Sequence, residues 1–139
     1  MNRLSCYIRV MTDDQAAEDR FRAGRELAAR LFAGAPRIPP LPSEMARHTM
    51  GHLFGDVWQD GTLAVEERSL VTCVILATLG REAELRLHVR GARNLGITRE
   101  KLEATMVHVA HYAGWPAGVS GQRILAEVWE QMDADTGAR

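Results

Sequence analysis

"LVTCVILATLGREAELRLHVRGARNLGITRE", residues 70–100, decides the fold. Its first ten residues are apolar nearly all round, which predicts the buried half of a central helix running from about 64 to 79. Gly80 ends that helix, because glycine takes the left-handed conformation that closes a helix C-terminus. In residues 81–95, Leu85, Val89 and Ala92 form an apolar stripe at helical spacing, and Gly96 stops the run. Thr98 then supplies an N-cap oxygen, with Glu100 placed where the helix dipole favours an acid. This fifth helix extends to about Ala113. The short turns between these helices call for compact, antiparallel neighbours.

The rest of the chain fits the same class. "GWP" (114–116) breaks the chain before a sixth helix over about 116–132. Upstream, residues 13–33 are rich in helix formers, with Asp13 or Asp14 as cap. Prolines at 36, 39 and 40 make 34–42 a stiff connector. Ser43 caps another helix running to about Trp58, with Met45, Thr49, His52, Leu53 and Trp58 as candidates to face inward, and "QDGT" (59–62) is a turn. No stretch alternates with period two. The expectation is an all-α single domain of about six helices over 1–139, with 1–12 an arm of some strand character ("CYIRV") and 133–139 a frayed tail.

The chain has 139 residues and a net charge of −1, which argues against nucleic acid or an anionic membrane as the main partner. Sixteen of the seventeen basic residues are arginine, whose planar fork suits carboxylates. The start lacks a long apolar stretch, and 70–79 is too short to span a bilayer, so a cytoplasmic protein is expected. Cys6 and Cys73 form neither a disulfide framework nor a Cys-x-x-Cys pair, consistent with a reduced compartment.

Several polar groups sit at helical spacing on apolar faces. Arg81, Glu84 and His88 fall at i, i+3 and i+7. One reading is a structural Glu–His pair tying helices together; the other is an oriented imidazole that moves a proton. Thr105, His108 and Tyr112 repeat the spacing, with His111 just off the line, and would converge on His88 if the two helices form an antiparallel hairpin. Equally, Tyr112 could be a core aromatic beside exposed histidines. His48, His52 and Asp56 stand at i, i+4 and i+8, but no His-Glu-x-x-His motif accompanies them, and no metal is expected. Arg68 opens the buried helix, where an inward-turned guanidinium needs a carboxylate from protein or substrate. Cys73, inside the apolar run, reads as an inert small hydrophobe.

The segments "GDVW…L…ERSL", "ELRLHVRGARNLGITRE" and "HYAGWPA" resemble the carboxymuconolactone decarboxylase family over roughly residues 44–130, and the helix at 13–33 looks like that family's N-terminal helix. The resemblance implies an all-helical fold assembling into trimers or hexamers, with pockets near subunit interfaces. It implies one of two activities: decarboxylation of γ-carboxymuconolactone without a cofactor, or the thiol peroxidase chemistry of the similar AhpD group. The positions that would carry the AhpD Cys-x-x-Cys are Arg81 and Glu84, so both thiols are absent while His88 is kept. The decarboxylase branch usually has Trp-x-Arg-Pro-Gly-Leu where this chain has "WQDGTL" (58–63), which puts Asp60 at an arginine position.

By that resemblance His88 is expected to donate the proton, oriented by Glu84, with Arg68 gripping a carboxylate or enolate oxygen. Tyr112, His108, Trp58, Trp115 and His52 are the expected substrate-binding residues. The substrate would be a small cyclic lactone or related carboxylated molecule, acting as its own electron sink. A biosynthetic tailoring enzyme or a non-catalytic small-molecule-binding protein on the same fold are the alternatives, with residual peroxidase chemistry through Cys73 a further one.

Overall fold

The computed structural model describes residues 3–36 and 40–137, with side chains from Asp13 onward. All regular structure among these residues is helical: α1 (Arg3–Leu31), α2 (Ser43–Arg47), α3 (Val65–Thr78), α4 (Glu82–Asn94), α5 (Arg99–Ala113) and α6 (Trp115–Gly137). A π-helical segment, His48–Leu53, continues α2, and one 3-10 turn covers Val57–Gln59. None of the described helices is long and apolar enough to cross a membrane.

Three sequence expectations need correction. Residues 3–12 are not an arm with strand character but the start of α1, because extending a helix costs far less than nucleating one. Met1 and Asn2 lie outside the described residues. The single helix expected over 43–58 is interrupted. Phe54 N–H bonds back five residues to Thr49 O at 2.9 Å, and the chain turns before Trp58. In consequence Met45 and Leu53 are exposed, while Phe54 and Trp58 are buried. At the other end the polar tail stays helical through Gly137, held in part by Arg93 binding Asp133 and by Thr136 Oγ1 donating to Met132 O. Ala138 and Arg139 lie outside the described residues, as do 37–39 of the connector.

Packing divides the chain into two compact units: residues 1–29 with 37–62, and residues 30–36 with 63–139. In the first, α1 approaches the π-helical segment so closely that a side chain at Gly24 would overlap the Met50 carbonyl. Phe54 and Trp58 meet edge-on, with centroids 5.4 Å apart. Gln59 Nε2 donates to Phe54 O at 2.9 Å. Thr62 N–H donates to Asp60 Oδ1 at 2.9 Å, which fixes the expected "QDGT" turn.

The second unit holds the main core, where Cys73, Leu85, Val89, Leu102, Met106, Ile124 and Leu125 are fully or almost fully buried. Burying each such side chain contributes about 1.5–3 kcal/mol. α5 packs on α6 and α3, and α4 packs on α3 and α6. Gly118 makes the α5–α6 contact possible, since a Cβ there would overlap Ala110. Gly80 and Gly96 end α3 and α4 with φ of 64° and 85°, as the sequence predicts. Thr98 Oγ1 accepts from Lys101 N–H and caps α5. Along α4 and α6, Glu82 pairs with Arg123, Arg86 with Glu127 and Arg93 with Asp133.

Candidate active site on helix α4

α4 is amphipathic. Leu85, Val89 and Ala92 anchor its inner stripe, and Glu84 and His88 lie beside that stripe, one turn apart. The packing of Leu85 and Val89 therefore fixes where His88 stands. Its imidazole is half-buried, and its Nδ1 is shielded from solvent. Phe32, in the turn after α1, meets the ring edge-on at 5.5 Å with planes at 88°. Burial pushes His88 below the ordinary imidazole value, and the Glu84 carboxylate opposes that shift by a smaller amount. Glu84 itself is exposed. At neutral pH His88 is therefore a neutral base that gains a proton when negative charge comes near.

Arg68 lies in the first half of α3, half-buried, with its Nε shielded from solvent. Its backbone carbonyl accepts from Thr72 Oγ1 at 2.8 Å. Next to it Ser69 is fully buried, and its hydroxyl finds no hydrogen-bond partner among the described residues. Sequence reasoning passed over Ser69; its signal was a hydroxyl directly before a run of apolar residues.

The expected convergence of α5 on His88 is not what one chain does. α4 and α5 each pack mainly on α3 and α6 instead of forming a hairpin face. His108 and Tyr112 stack on each other at 4.5 Å, and Tyr112 is 82% exposed. Trp115 is 64% exposed and meets His111 edge-on at 6.1 Å. His111 Nδ1 lies 2.8 Å from Val107 O. These groups form an aromatic strip on the surface of α5 and the start of α6. In the first unit Trp58 is buried, so of the expected binding residues it is a core aromatic in its own unit. His52 is exposed and pairs with Asp56 at 3.3 Å, and His48 pairs with Glu44 at 3.2 Å. Each imidazole on that face thus takes its own carboxylate, and no three metal-binding side chains are gathered among the described residues.

Cys73 is fully buried, and burial pushes its thiol up to about 12. It stays protonated at physiological pH and lacks the thiolate that peroxide reduction requires.

Comparison with known proteins adds a sequence-wide view. A model of the carboxymuconolactone decarboxylase family matches residues 43–127. The chain is 39% identical over 79 residues to 4-carboxymuconolactone decarboxylase of Acinetobacter baylyi, covering 57% of this chain and 59% of that protein. It is 33% identical over 81 residues to nitrosuccinic acid decarboxylase of Metarhizium robertsii, covering 57% of this chain and 55% of that protein. The chain thus spans less than two thirds of the length of each of these relatives.

Proposed function

The chain belongs to the carboxymuconolactone decarboxylase family, and on that premise we propose that it decarboxylates a small carboxylated substrate with His88 as the proton carrier. The observation that carries this reading is the half-buried, desolvated His88 with the Glu84 carboxylate one turn away. The compounds named for the two relatives both place a carboxylate near an electron-accepting group, a lactone in one and a nitro group in the other. A substrate of that kind takes up the electrons itself, so the chemistry needs no added cofactor.

A substrate carboxylate entering the site favours the imidazolium form of His88, so binding takes up one proton. The carbon–carbon bond to the carboxylate breaks, CO₂ leaves, and the electron pair moves onto the lactone carbonyl as a dienolate. His88 returns its proton to carbon and is neutral again. Glu84 stabilises the imidazolium. Arg68 either orients the substrate carboxylate on binding or holds the enolate oxygen; in the second role a fixed cation stabilises developing charge. The substrate is a small cyclic lactone like the compound in the Acinetobacter relative's name; on acyclic nitrosuccinic acid, named for the other relative, the nitro group would receive the electron pair instead.

The active form is a homo-oligomer, a trimer or hexamer. Supporting this, Val71 and Ile75 of α3, Leu79 just after it, and Val107, Tyr112, Trp115 and Val119 of α5 and α6 are large apolar side chains left exposed in one chain. His108, Tyr112 and Trp115 then act from a neighbouring subunit, not from the chain that carries His88.

The test is CO₂ release from 4-carboxymuconolactone and from nitrosuccinic acid, with His88→Ala beside the parent protein and folding checked by circular dichroism. Turnover of either compound that falls at least about a hundredfold in His88→Ala supports the reading. Turnover that survives the substitution, or no CO₂ from either compound, overturns it.

A further inference from the structure

Arg90 lies two residues beyond His88 on α4 and is only 8% exposed. A buried guanidinium is costly to hold without close anionic or carbonyl partners. Its ion-pair partner among the described residues is Asp135, whose Oδ2 stands 3.6 Å from Nη1. That is too long for a hydrogen bond. Asp135 is itself 65% exposed, on the last turn of α6. The planar fork of arginine normally takes a carboxylate through two parallel bonds of about 2.7–2.9 Å. The cation is buried, yet its anion is held loosely and from the solvent side.

Arg90 borders a cleft of about 510 Å³ within the second unit. Ala33 and Gly34 form one wall, and Met132 adds an apolar one. Gly34 has φ of 69°, and Arg90 Nη1 lies 3.6 Å from where a Cβ would stand, so any larger residue there would project toward the guanidinium. Asn94 Nδ2 donates to Leu31 O at 2.9 Å and to Ala33 O at 3.1 Å, which braces the wall. α6 is anchored one half-turn before Asp135. Arg93 Nη1 donates to Trp129 O at 3.0 Å and Nη2 to Asp133 at 2.5 Å. Past Asp133, Thr136 turns its hydroxyl back onto Met132 O and Asp133 O. Asp135 itself makes no side-chain polar contact shorter than 3.6 Å among the described residues, so its carboxylate can leave Arg90 by a change of rotamer while the helix stays in place.

We propose that Arg90 is a binding site for the carboxylate of a small molecule with a short apolar body, with Asp135 occupying the guanidinium as an intramolecular stand-in that the ligand displaces. The site is separate from His88 and does not depend on the decarboxylase reading. The ligand is a carboxylate because one planar fork matches one planar anion. A phosphate dianion would bring a second charge beside Asp135, which lines the same cleft.

The probe is benzoate, titrated into the full ¹⁵N-labelled chain, with affinity from calorimetry and location from the Gly34 amide and the Asn94 side-chain amide signals. Asp135→Asn is expected to tighten benzoate up to about fivefold, the equivalent of an exposed ion pair removed from competition. Inorganic phosphate is expected to bind more weakly than benzoate, and Arg90→Met to abolish the response. Should Arg90→Met fail to fold, the Asp135→Asn comparison still decides. Benzoate binding no tighter in Asp135→Asn, binding that leaves both signals unmoved, or phosphate binding as well as benzoate would each overturn the proposal.

Discussion

Phe32 stands edge-on to His88, centroids 5.5 Å apart and planes at 88°, so an aromatic ring from the turn after α1 shields one edge of the imidazole from water. If that shield lowers the His88 pKa, removing it should raise it. In Phe32→Ala the imidazole should titrate closer to the ordinary value of 6.5 than in the parent protein, read from its proton NMR signals. An unchanged titration would assign the desolvation to other neighbours.

Glu84 acts in the opposite sense. Its carboxylate raises the His88 pKa, so Glu84→Gln should lower it further and move the alkaline fall of turnover toward lower pH. Because Glu84 is exposed, the change in stability should stay within about 0.5 kcal/mol. A loss of stability without a shift of the pH profile would make the residue merely structural.

His88 also ties folding to pH. Its folded pKa lies below the unfolded value of 6.5, so the native state binds fewer protons between the two. The stability from keeping it neutral is complete above 6.5 and is lost as pH falls through the lower folded value. Urea midpoints measured from pH 7 down to about pH 5 should therefore drop more steeply for the parent protein than for His88→Ala. Parallel slopes would show that His88 is solvated in the native state.

The α5–α6 contact depends on a missing side chain. Gly118→Ala would drive a methyl group into Ala110, at a cost of about 1–3 kcal/mol. Adding Ala110→Gly should restore part of the loss, and a double-mutant cycle of urea midpoints measures how much. Simple additivity would mean the helices separate freely to admit the methyl.

Cys73 should not react with a thiol reagent in the native protein, because it is buried and its thiol is pushed up to about 12. In a Cys6→Ser background the label should appear only once urea unfolds the chain. Rapid native labelling would reopen thiol chemistry.

The boundaries of α3, α4 and α5 were legible because local signals set them: Gly80 and Gly96 are the left-handed stops, and Thr98 is the cap. His88's position beside the buried stripe followed from spacing alone. The π-helical segment was not legible, because "HTMGHL" has the composition of ordinary helix, and the irregular turn coincides with a close approach to Gly24 that no local pattern encodes. Nor was the burial of Arg90. In sequence it matches Arg86 and Arg93, and it is the turn after α1 and the end of α6, both distant in sequence, that line the cleft beside it. The expected gathering of His108 and Tyr112 at His88 failed for a similar reason. It presumed that α5 folds back onto α4, whereas Gly118 gives α5 a tight partner in α6.

The charge pairs along α4 and α6 carry information that their individual energies, each within about 1 kcal/mol at the surface, do not suggest. Glu82 with Arg123, Arg86 with Glu127 and Arg93 with Asp133 keep a nearly constant offset along the chain, so the two helices run in the same direction. Sliding α6 by one turn either way would bring Glu82 against Glu127, or Arg86 against Arg123. The alphabet of charges on this face therefore works like a key cut for one alignment: it penalises each neighbouring misthreading and spells out a single reading frame for the bundle.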